Sequence, residues 1–366
     1  MGAFKNCIGL ENIILHCDYL SVGNDAFANS KWWNNQENGV VYLGKIALSY
    51  KGDIPEGSSI VIKEGTKYIN DNFLLWEYVN SVGNLISLSL PNSIEIIGEK
   101  AFYGCSNLKD IKQSENTITI GDLAFDYTAW MSNRPNGLLY IGNVLYRNIG
   151  KLKNSNVDIN DGTVRINHSV FENDSSLISI NIPKSVRYIG NNIFDGCVSL
   201  DRITVDANNP YFDSRDNSNA IIDKSNHSLI YGSNKTIIPS NVRRIVEHAF
   251  CGRNIEKIEI PNQVKVIESA AFFDCKKLSE IVIGNSIDSI GGSAFRNCFN
   301  LKQVISNVMY PFPIRASTFW LNSNTQLNAI YDSVKLYVPK GTKSLYQNTE
   351  GWNRFHNIIE FDPLFR

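Results

Sequence analysis

A phenylalanine returns at nearly constant intervals along this chain, and this period constrains the fold more than any other feature. Alanine usually precedes it, as in Ala101-Phe102 and Ala294-Phe295, and intervals of 22, 23 and 24 residues recur between successive copies. The equivalent positions are Phe4, Phe27, Phe102, Phe125, Phe171, Phe194, Phe250, Phe272, Phe295 and Phe319. A fixed period of about 20 to 50 residues is the signature of a stacked repeat architecture.

The residues between two phenylalanines predict two short extended segments in each repeat. From Ala271 to Gly291 the chain reads AF-x-x-C-x-x-L-x-x-I-x-I followed by x-x-S-I-x-x-I-G. Apolar residues at fixed positions point inward in such a coil, and each repeat stacks on the next at the ~4.8 Å spacing of strands. No repeat buries its own apolar edge, so we expect the stability of each repeat to come from its neighbours.

Three insertions interrupt the period, near residues 32–52, 130–150 and 211–232. The interval is 46 residues from Phe27 to Phe73 and from Phe125 to Phe171, and 56 from Phe194 to Phe250. The first two insertions align at an offset of 98 residues, which indicates a duplicated block. Each insertion is predicted to be a β-hairpin that protrudes from the coil. In the first, Gly44-Lys45 suits a two-residue type II′ turn.

The two ends of the chain differ from the repeats. The segment from Lys335 to Gly341, a short helix over 344–347 and the aromatic residues Trp352 and Phe355 are typical of a cap on the last open face of an array. We therefore expect a solenoid over residues 1–320 and a capping segment over 321–366. At the other end Ala3-Phe4 is already within a repeat and no secretion signal precedes it, so we expect the chain to begin after a removed leader and first cap.

These repeats resemble the BspA-type, or Treponema pallidum-type, leucine-rich repeats of Bacteroidetes surface proteins. The string from Tyr337 to Gly341, with Tyr346, Gly351-Trp352 and Phe355, is similar to the usual end of such proteins. The resemblance implies a right-handed leucine-rich-repeat solenoid that is α/β by class but β-rich. It also implies export, display at the cell surface or release, and adhesion to host or neighbouring-cell macromolecules. It carries no functional residues onto this chain.

The charge and the apolar content of the chain exclude two classes of partner, nucleic acid and membrane. The chain has 35 basic and 36 acidic residues, and a net charge of -1 provides no overall field to attract nucleic acid or an anionic membrane. No stretch approaches the ~20 consecutive apolar residues that a transmembrane helix needs. We therefore expect neither a nucleic-acid partner nor a membrane span in this chain.

Seven cysteines raise the alternatives of disulfides or a metal site. Five of them lie three residues after a repeat phenylalanine and form one predicted inward column: Cys7, Cys105, Cys197, Cys275 and Cys298. Cysteine packs as a small apolar residue, and no CxxC or Cys/His zinc spacing occurs. We predict buried free thiols; Cys17 and Cys251 lie off the column, and either could be more accessible.

The sequence predicts no catalytic residue, no metal site and no cofactor. The five histidines lie at different repeat positions and are expected to be surface or turn residues, and the phosphate-binding and nucleophile motifs of enzymes are missing. One oxygen-rich run, from Asp213 to Asn219, suggests calcium, but it lacks the glycine and terminal glutamate of a known calcium loop. Local Asx turns are the alternative for that run.

A partner surface is the remaining prediction. The outward positions of L-x-x-I-x-I line one face of the sheet, and solenoids usually bind through such faces. The candidate binding residues are Lys109, Asp110, Lys112, Asn181, Arg202, Glu256, Lys257, Glu259, Glu280 and Lys302. Aromatic residues of the insertions are competing anchors, although core packing is the favoured interpretation for them: Trp32, Trp33, Tyr42, Trp130 and Tyr140.

The leading functional hypothesis is a non-enzymatic, secreted or surface-anchored binding protein that is adhesin-like and contacts a host protein or glycan. A structural spacer of the cell envelope is the first alternative. A glycan-active enzyme is the second.

Overall fold

The computed structural model describes residues 2–23, 25–74, 81–150, 152, 155–320 and 329–362. The chain forms two compact units: residues 1–150 with 164–168, and residues 151–163 with 169–366. The predicted boundary between a solenoid at 1–320 and a capping segment at 321–366 stays a prediction. Residues 321–328 and 363–366 of that segment lie outside the described residues.

Short strands dominate both units, as the β-rich fold class predicts. The strands are β1 (Gly39–Leu43), β2 (Ile46–Lys51), β3 (Ser58–Val61), β4 (Tyr68–Ile69), β5 (Leu85–Ser89), β6 (Ile96–Ile97), β7 (Asp110–Lys112), β8 (Thr119–Ile120), β9 (Gly137–Ile141), β10 (Val144–Ile149), β11 (Asn156–Asp158), β12 (Arg165–Ile166), β13 (Ser179–Ile182), β14 (Tyr188–Ile189), β15 (Arg202–Val205), β16 (Phe212–Asp213), β17 (Ala220–Asp223), β18 (Ser228–Gly232), β19 (Arg244–Ile245), β20 (Lys257–Ile260), β21 (Val266–Ile267), β22 (Glu280–Ile283), β23 (Ser289–Ile290), β24 (Gln303–Ser306), β25 (Lys335–Pro339) and β26 (Asn357–Phe361). The helices are α1 (Lys31–Asn34), α2 (Ala129–Ser132), α3 (Ala329–Ser333) and α4 (Lys343–Asn348). Single 3₁₀ turns span Val82–Asn84, Arg215–Asn217 and Trp352–Arg354.

The L-x-x-I-x-I segments form parallel sheets in which each strand pairs with the same segment of the next repeat. In the second unit Lys257 pairs with Glu280 and Glu280 with Gln303, a shift of 23 residues at each step. The order β20-β22-β24-β25-β26 gives one such sheet, β11-β13-β15 another and, in the first unit, β3-β5-β7 a third. This register confirms the repeat length and the leucine-rich-repeat solenoid predicted from the sequence.

The S-I-x-x-I-G segments form a second set of sheets, and the hairpins belong to them. β1 and β2 pair antiparallel across Gly44-Lys45, with Gly44 at φ 58°, as the sequence predicts for a type II′ turn. β9 with β10 and β17 with β18 form the other two hairpins. The prediction that the hairpins protrude is wrong, because their outgoing strands join the sheets of the repeats. β2 pairs in parallel with β4, and β18 pairs in parallel with β19. The outgoing strands are apolar and buried, as in Ile46 and Ala47, so they pair as repeat strands do.

The duplicated block is confirmed in detail. α1, β1 and β2 recur 98 residues later as α2, β9 and β10 with the same burial pattern in each pair of strands. Ser30 caps α1 and Thr128 caps α2, each by accepting from a backbone N–H three residues on. A helical turn thus precedes each of these hairpins, which the sequence analysis did not predict.

Stacked phenylalanine rings form the centre of the core. In the second unit the ring centroids of Phe250 and Phe272 lie 4.7 Å apart, those of Phe272 and Phe295 5.1 Å, and those of Phe295 and Phe319 5.2 Å, with interplanar angles of 5° to 14°. The backbone N–H of Phe272 donates to the carbonyl of Ala294, one repeat further on, at 2.7 Å. Ring stacking and a backbone hydrogen bond therefore join neighbouring repeats at the same point.

Each repeat phenylalanine lies in a reverse turn. In most repeats this turn contains a residue with left-handed backbone on both sides of the phenylalanine. Two residues after the ring the position is usually Asn, Asp or Gly, which tolerate positive φ. Two residues before it, positive φ occurs at Lys100, Leu123, Ser169, Asn192, His248, Ala270 and Ser293, and most of these residue types rarely adopt this conformation, Asn and His being the exceptions. The stacked repeats must therefore hold these residues in place.

The last strands extend the sheet although their sequence leaves the repeat. β25 pairs with β24, and β26 with β25, all parallel. Trp352, Phe355 and Tyr346 are buried beneath them, and the Phe355 ring meets that of Phe319 edge-on at 5.3 Å. α4 lies where the sequence predicts a short helix. These aromatic side chains cover the end of the phenylalanine column.

Replacing Phe272 with alanine tests this packing. Phe272 is fully buried between two rings, so the substitution leaves a cavity and should lower the free energy of unfolding by about 3 to 5 kcal/mol. Lys257→Ala, on the exposed sheet face, should change it by less than about 0.5 kcal/mol. Denaturant unfolding followed by circular dichroism measures both, and equal losses would show that the inward and outward positions are misassigned.

Candidate functional site

A groove lies over the sheet of β3, β5 and β7 in the first unit. Ser59, Ser87 and Asp110 are paired across the three strands, and Val61, Ser89 and Lys112 form the next row. Because side chains alternate along a strand, these six residues share the outward face while Ile60 and Leu88 are buried beneath. Val61 is 69% exposed, an apolar side chain in the floor of the groove.

The helix α2 and the residues after it form one wall of this groove. The backbone N–H of Trp130 donates to the carbonyl of Leu108 at 2.6 Å and fixes the helix beside β7. The guanidinium of Arg134 stacks over the Trp130 ring at 4.3 Å, a cation–π contact that orients the charge. Asn133 and Pro135 complete the wall, and the groove has a volume of about 680 Å³.

Three of the predicted binding residues line this groove together. Lys109, Asp110 and Lys112 are exposed on the floor beside the wall, and Arg134 adds a cation that the sequence analysis did not select. Three cations and one carboxylate give the groove a net positive charge. Its lining also offers serine hydroxyls and the apolar surfaces of Val61 and Pro135.

The predicted residues of the second unit form smaller, self-paired groups. Lys257 lies 3.5 Å from the carboxylate of Glu280, which also accepts a hydrogen bond from Gln303 on the next strand. Asn181 accepts from Thr204 at 2.5 Å across β13 and β15. Of all ten predicted residues only Glu280 is partly buried, and the other nine are exposed.

The remaining residues of that prediction do not converge on one groove. Arg202, on β15, pairs opposite Ser179, and Glu256 borders a hollow of about 500 Å³ with Lys257. Glu259 and Lys302 are exposed on the sheet of β20.

The aromatic residues of the hairpins pack inward. Trp32 contacts the ring of Phe27 at 5.1 Å, and Trp130 contacts Phe125 at 5.6 Å, so the buried part of each indole belongs to the core. The hydroxyl of Tyr42 accepts from the backbone N–H of Lys63 at 3.0 Å. This agrees with the favoured interpretation of core packing, with Trp130 also supporting Arg134 in the groove wall.

The cysteine prediction holds for four of the five column members and fails at the first. Cys105, Cys197, Cys275 and Cys298 are fully buried free thiols. Cys7 is exposed, because within the described residues its repeat is stacked on one side only, where Phe4 meets Phe27. Cys17 is exposed as expected, but Cys251 is buried.

The oxygen-rich run from Asp213 follows the Asx-turn alternative. The carboxylate of Asp213 accepts from the guanidinium of Arg215 at 2.7 and 2.5 Å and from the backbone N–H of Arg215 at 3.3 Å. These local bonds engage both carboxylate oxygens of Asp213.

A second cluster escaped the sequence analysis, and it lies in the second unit. Nδ1 of His248 lies 2.5 Å from Oδ2 of Asp195, and Cys251 is close to both. Arg253, fully buried beside them, donates to the carbonyls of Phe194 and Gly232. The hydrogen bond to Asp195 raises the pKa of His248, and burial raises that of Cys251.

Sequence comparison assigns the family. The BspA-type leucine-rich repeat region matches in six copies, at residues 1–75, 76–200, 132–221 and 220–330. The chain belongs to the BspA-type leucine-rich repeat family. No curated protein matches its sequence.

Solved structures of similar fold are bacterial leucine-rich repeat proteins. A leucine-rich repeat protein from Eubacterium ventriosum is 22% identical with a TM-score of 0.53, over 83% of this chain and 81% of that one. A leucine-rich cell surface protein from Faecalibacterium prausnitzii is 19% identical (TM-score 0.46; 86% and 90% covered), and the pneumococcal vaccine antigen PcpA 18% (0.45; 87% and 84%). The E. ventriosum protein supports the same fold for this BspA-type chain.

No helix in the described part of this BspA-type chain has the length and apolarity of a transmembrane span, since α4 is the longest at six residues.

Thiol chemistry should separate the cysteines of this BspA-type protein into two classes. Burial raises the pKa of the Cys105, Cys197 and Cys275 thiols to about 12, so little reactive thiolate forms near neutral pH. In the native protein a thiol reagent should label Cys7 and Cys17 rapidly and the other five only after unfolding. Peptide mapping of the labelled protein gives the assignment, and rapid native labelling of Cys298 would contradict the buried column.

Proposed function

We propose that this chain is a non-enzymatic, secreted or cell-surface binding protein, adhesin-like, which holds an extracellular protein through the groove over β3, β5 and β7. The observation that carries the proposal is the convergence of Lys109, Lys112 and Arg134 beside a sheet floor in one groove. Membership of the BspA-type repeat family supports a role in protein binding and a location at the cell surface.

The lining of the groove favours an acidic, extended segment of the partner. Three cations surround the single carboxylate of Asp110, and complementary charge speeds encounter and fixes orientation. Arg134 is held over Trp130, so its planar guanidinium is positioned in advance for a carboxylate. The exposed Val61 and the ring of Pro135 offer apolar contact between the charged groups.

The predicted binding residues of the second unit are weaker candidates for holding such a partner. Lys257, Glu280 and Gln303 already satisfy one another across three strands, and a partner must displace those contacts before it binds. Exposed ion pairs of this kind contribute little energy, but they reduce the net charge that a partner meets. The groove of the first unit therefore carries the proposal.

A charge-reversal experiment tests the groove directly. Lys109→Glu with Lys112→Glu changes the groove from net positive to net negative, so binding to an acidic partner should weaken at least tenfold. The remaining affinity should rise with salt, where that of the unchanged protein falls, because salt then screens a repulsion. The matched control is Lys257→Glu with Lys302→Glu, the same change at exposed positions of the same sheet face in the second unit, which should change affinity less than twofold. Surface capture of extracellular-matrix proteins followed by binding isotherms at two salt concentrations provides the measurement.

Other outcomes identify the alternatives. Equal losses in both double variants would assign binding to the repeat face as a whole and overturn the groove. Binding to a glycan panel but to no protein would replace the protein partner by a glycan. Absence of any captured ligand, together with co-purification of envelope components that neither variant disturbs, would favour the structural spacer. Turnover of a polysaccharide would favour the enzyme.

A further inference from the structure

Two reverse turns that are far apart in sequence meet in the second unit. One turn follows Phe194 and the other follows Phe250, and the third hairpin lies between them in the chain. The backbone N–H of Gly196 donates to the carbonyl of Cys251 at 3.3 Å. A Cβ on Gly252 would lie 2.8 Å from Cα of Gly196, so this approach requires glycine. The close contact brings the side chains of the two turns together.

Three different metal-binding side chains converge there. Asp195 offers a carboxylate oxygen, His248 an imidazole nitrogen and Cys251 a thiol sulfur, and one such atom from each lies within 4.8 Å of the others. Asp195 and Cys251 are each only 8% exposed. A mixed set of sulfur, nitrogen and oxygen suits Zn²⁺, whereas calcium and magnesium prefer oxygen ligands alone.

One atom of this cluster lacks a partner. Oδ1 of Asp195 is buried and has no hydrogen bond among the described residues, although Oδ2 is paired with His248. Buried polar atoms in folded proteins are nearly always satisfied, so this oxygen is available to a water molecule or to a cation. The thiol of Cys251 and the imidazole of His248 beside it are ligand types that favour a cation.

Solvent reaches the cluster through His248. Its side chain is 30% exposed and lines a hollow of about 450 Å³ with Asn191, Asn192 and Glu247. This hollow gives an ion an entry path, and it leaves room for a water molecule as a fourth ligand beside the three protein ligands. Three protein ligands and one water are a common zinc arrangement.

We propose that Asp195, His248 and Cys251 bind one Zn²⁺ ion that joins the two reverse turns across the third hairpin. The ion replaces the hydrogen bond between His248 and Asp195 by bonds to both residues. The proton on Nδ1 of His248 moves to Nε2 when the imidazole is neutral and to solvent when it is charged, and the thiol proton of Cys251 is released to solvent. One Zn²⁺ with one carboxylate and one thiolate is neutral, so the ion offsets both the Asp195 charge and the thiolate charge that its binding creates. This site revises the prediction that the chain has no metal ligands.

Cobalt binding tests the site, because Co²⁺ replaces Zn²⁺ and reports a thiolate ligand by absorption. The full chain is used with Cys7→Ser and Cys17→Ser, which removes both exposed thiols. After treatment with a chelator it should take up one Co²⁺ per chain with a thiolate-to-cobalt charge-transfer band, and an equivalent of Zn²⁺ should abolish that band. Zn²⁺ should also raise the melting temperature, since it binds the folded state.

Variants separate this site from chance binding. His248→Gln changes a partly exposed ligand and should weaken Co²⁺ binding at least tenfold, and Cys251→Ser should remove the charge-transfer band. Cys298→Ser is the matched control, since it changes a buried thiol of the same core outside the cluster and should leave the band unchanged. Circular dichroism confirms that each variant is folded, and the His248→Gln result suffices if Cys251→Ser does not fold. Failure to bind Co²⁺ would overturn the proposal. It would also be overturned if the charge-transfer band survives in folded Cys251→Ser, or if it is unchanged in His248→Gln.

Discussion

The rest of the structure depends on the contact between one repeat phenylalanine and the next. From Phe250 to Phe319 successive repeat rings stack within about 5 Å. The backbone N–H groups of Phe250, Phe272 and Phe295 each donate to a carbonyl of the following repeat. A single repeat can form neither the ring contact nor the hydrogen bond by itself, because both partners belong to the neighbouring repeat. Order in one repeat therefore requires its neighbours, as expected for a quasi-one-dimensional fold.

The same contact explains how the chain tolerates insertions. At the second and third hairpins a tyrosine from the outgoing strand enters the column: Tyr146 meets Phe125 at 6.1 Å, and Tyr231 meets Phe194 at 5.4 Å, both edge-on. Their hydroxyls are satisfied by Asp126 and by the carbonyl of Gly190. An aromatic ring with a polar end can thus replace a repeat phenylalanine without leaving a buried polar atom unpaired.

Periodic features were predictable from the sequence because the same residue types recur at the same position of each repeat. The phenylalanine column, the hairpin pairing at Gly44-Lys45 and the outward positions of Lys109 and Lys112 all follow from residue type and spacing. Features that depend on a single contact were not predictable. Cys7 has the column spacing but lacks a stacked neighbour on one side among the described residues, and the burial of Cys251 depends on the approach of Gly196 and Gly252. His248 and Cys251 form a local H-x-x-C pair that the sequence analysis did not select as a zinc spacing, and Asp195 precedes that pair by more than fifty residues.

The groove over β3, β5 and β7 and the cluster of Asp195, His248 and Cys251 both lie where the period breaks. A regular repeat presents the same kind of flat, solvated strand face at each step, and cross-strand pairs such as Asn181 with Thr204 satisfy its polar groups. An interruption supplies what this face lacks. α2 forms a wall with Arg134 beside β7, and the third hairpin separates in sequence two turns that meet at Asp195 and His248. Recognition requires concave, non-uniform surfaces with polar groups that the fold itself does not consume. In this chain the regular repeats provide rigidity, and the insertions determine which chemistry that rigid support presents.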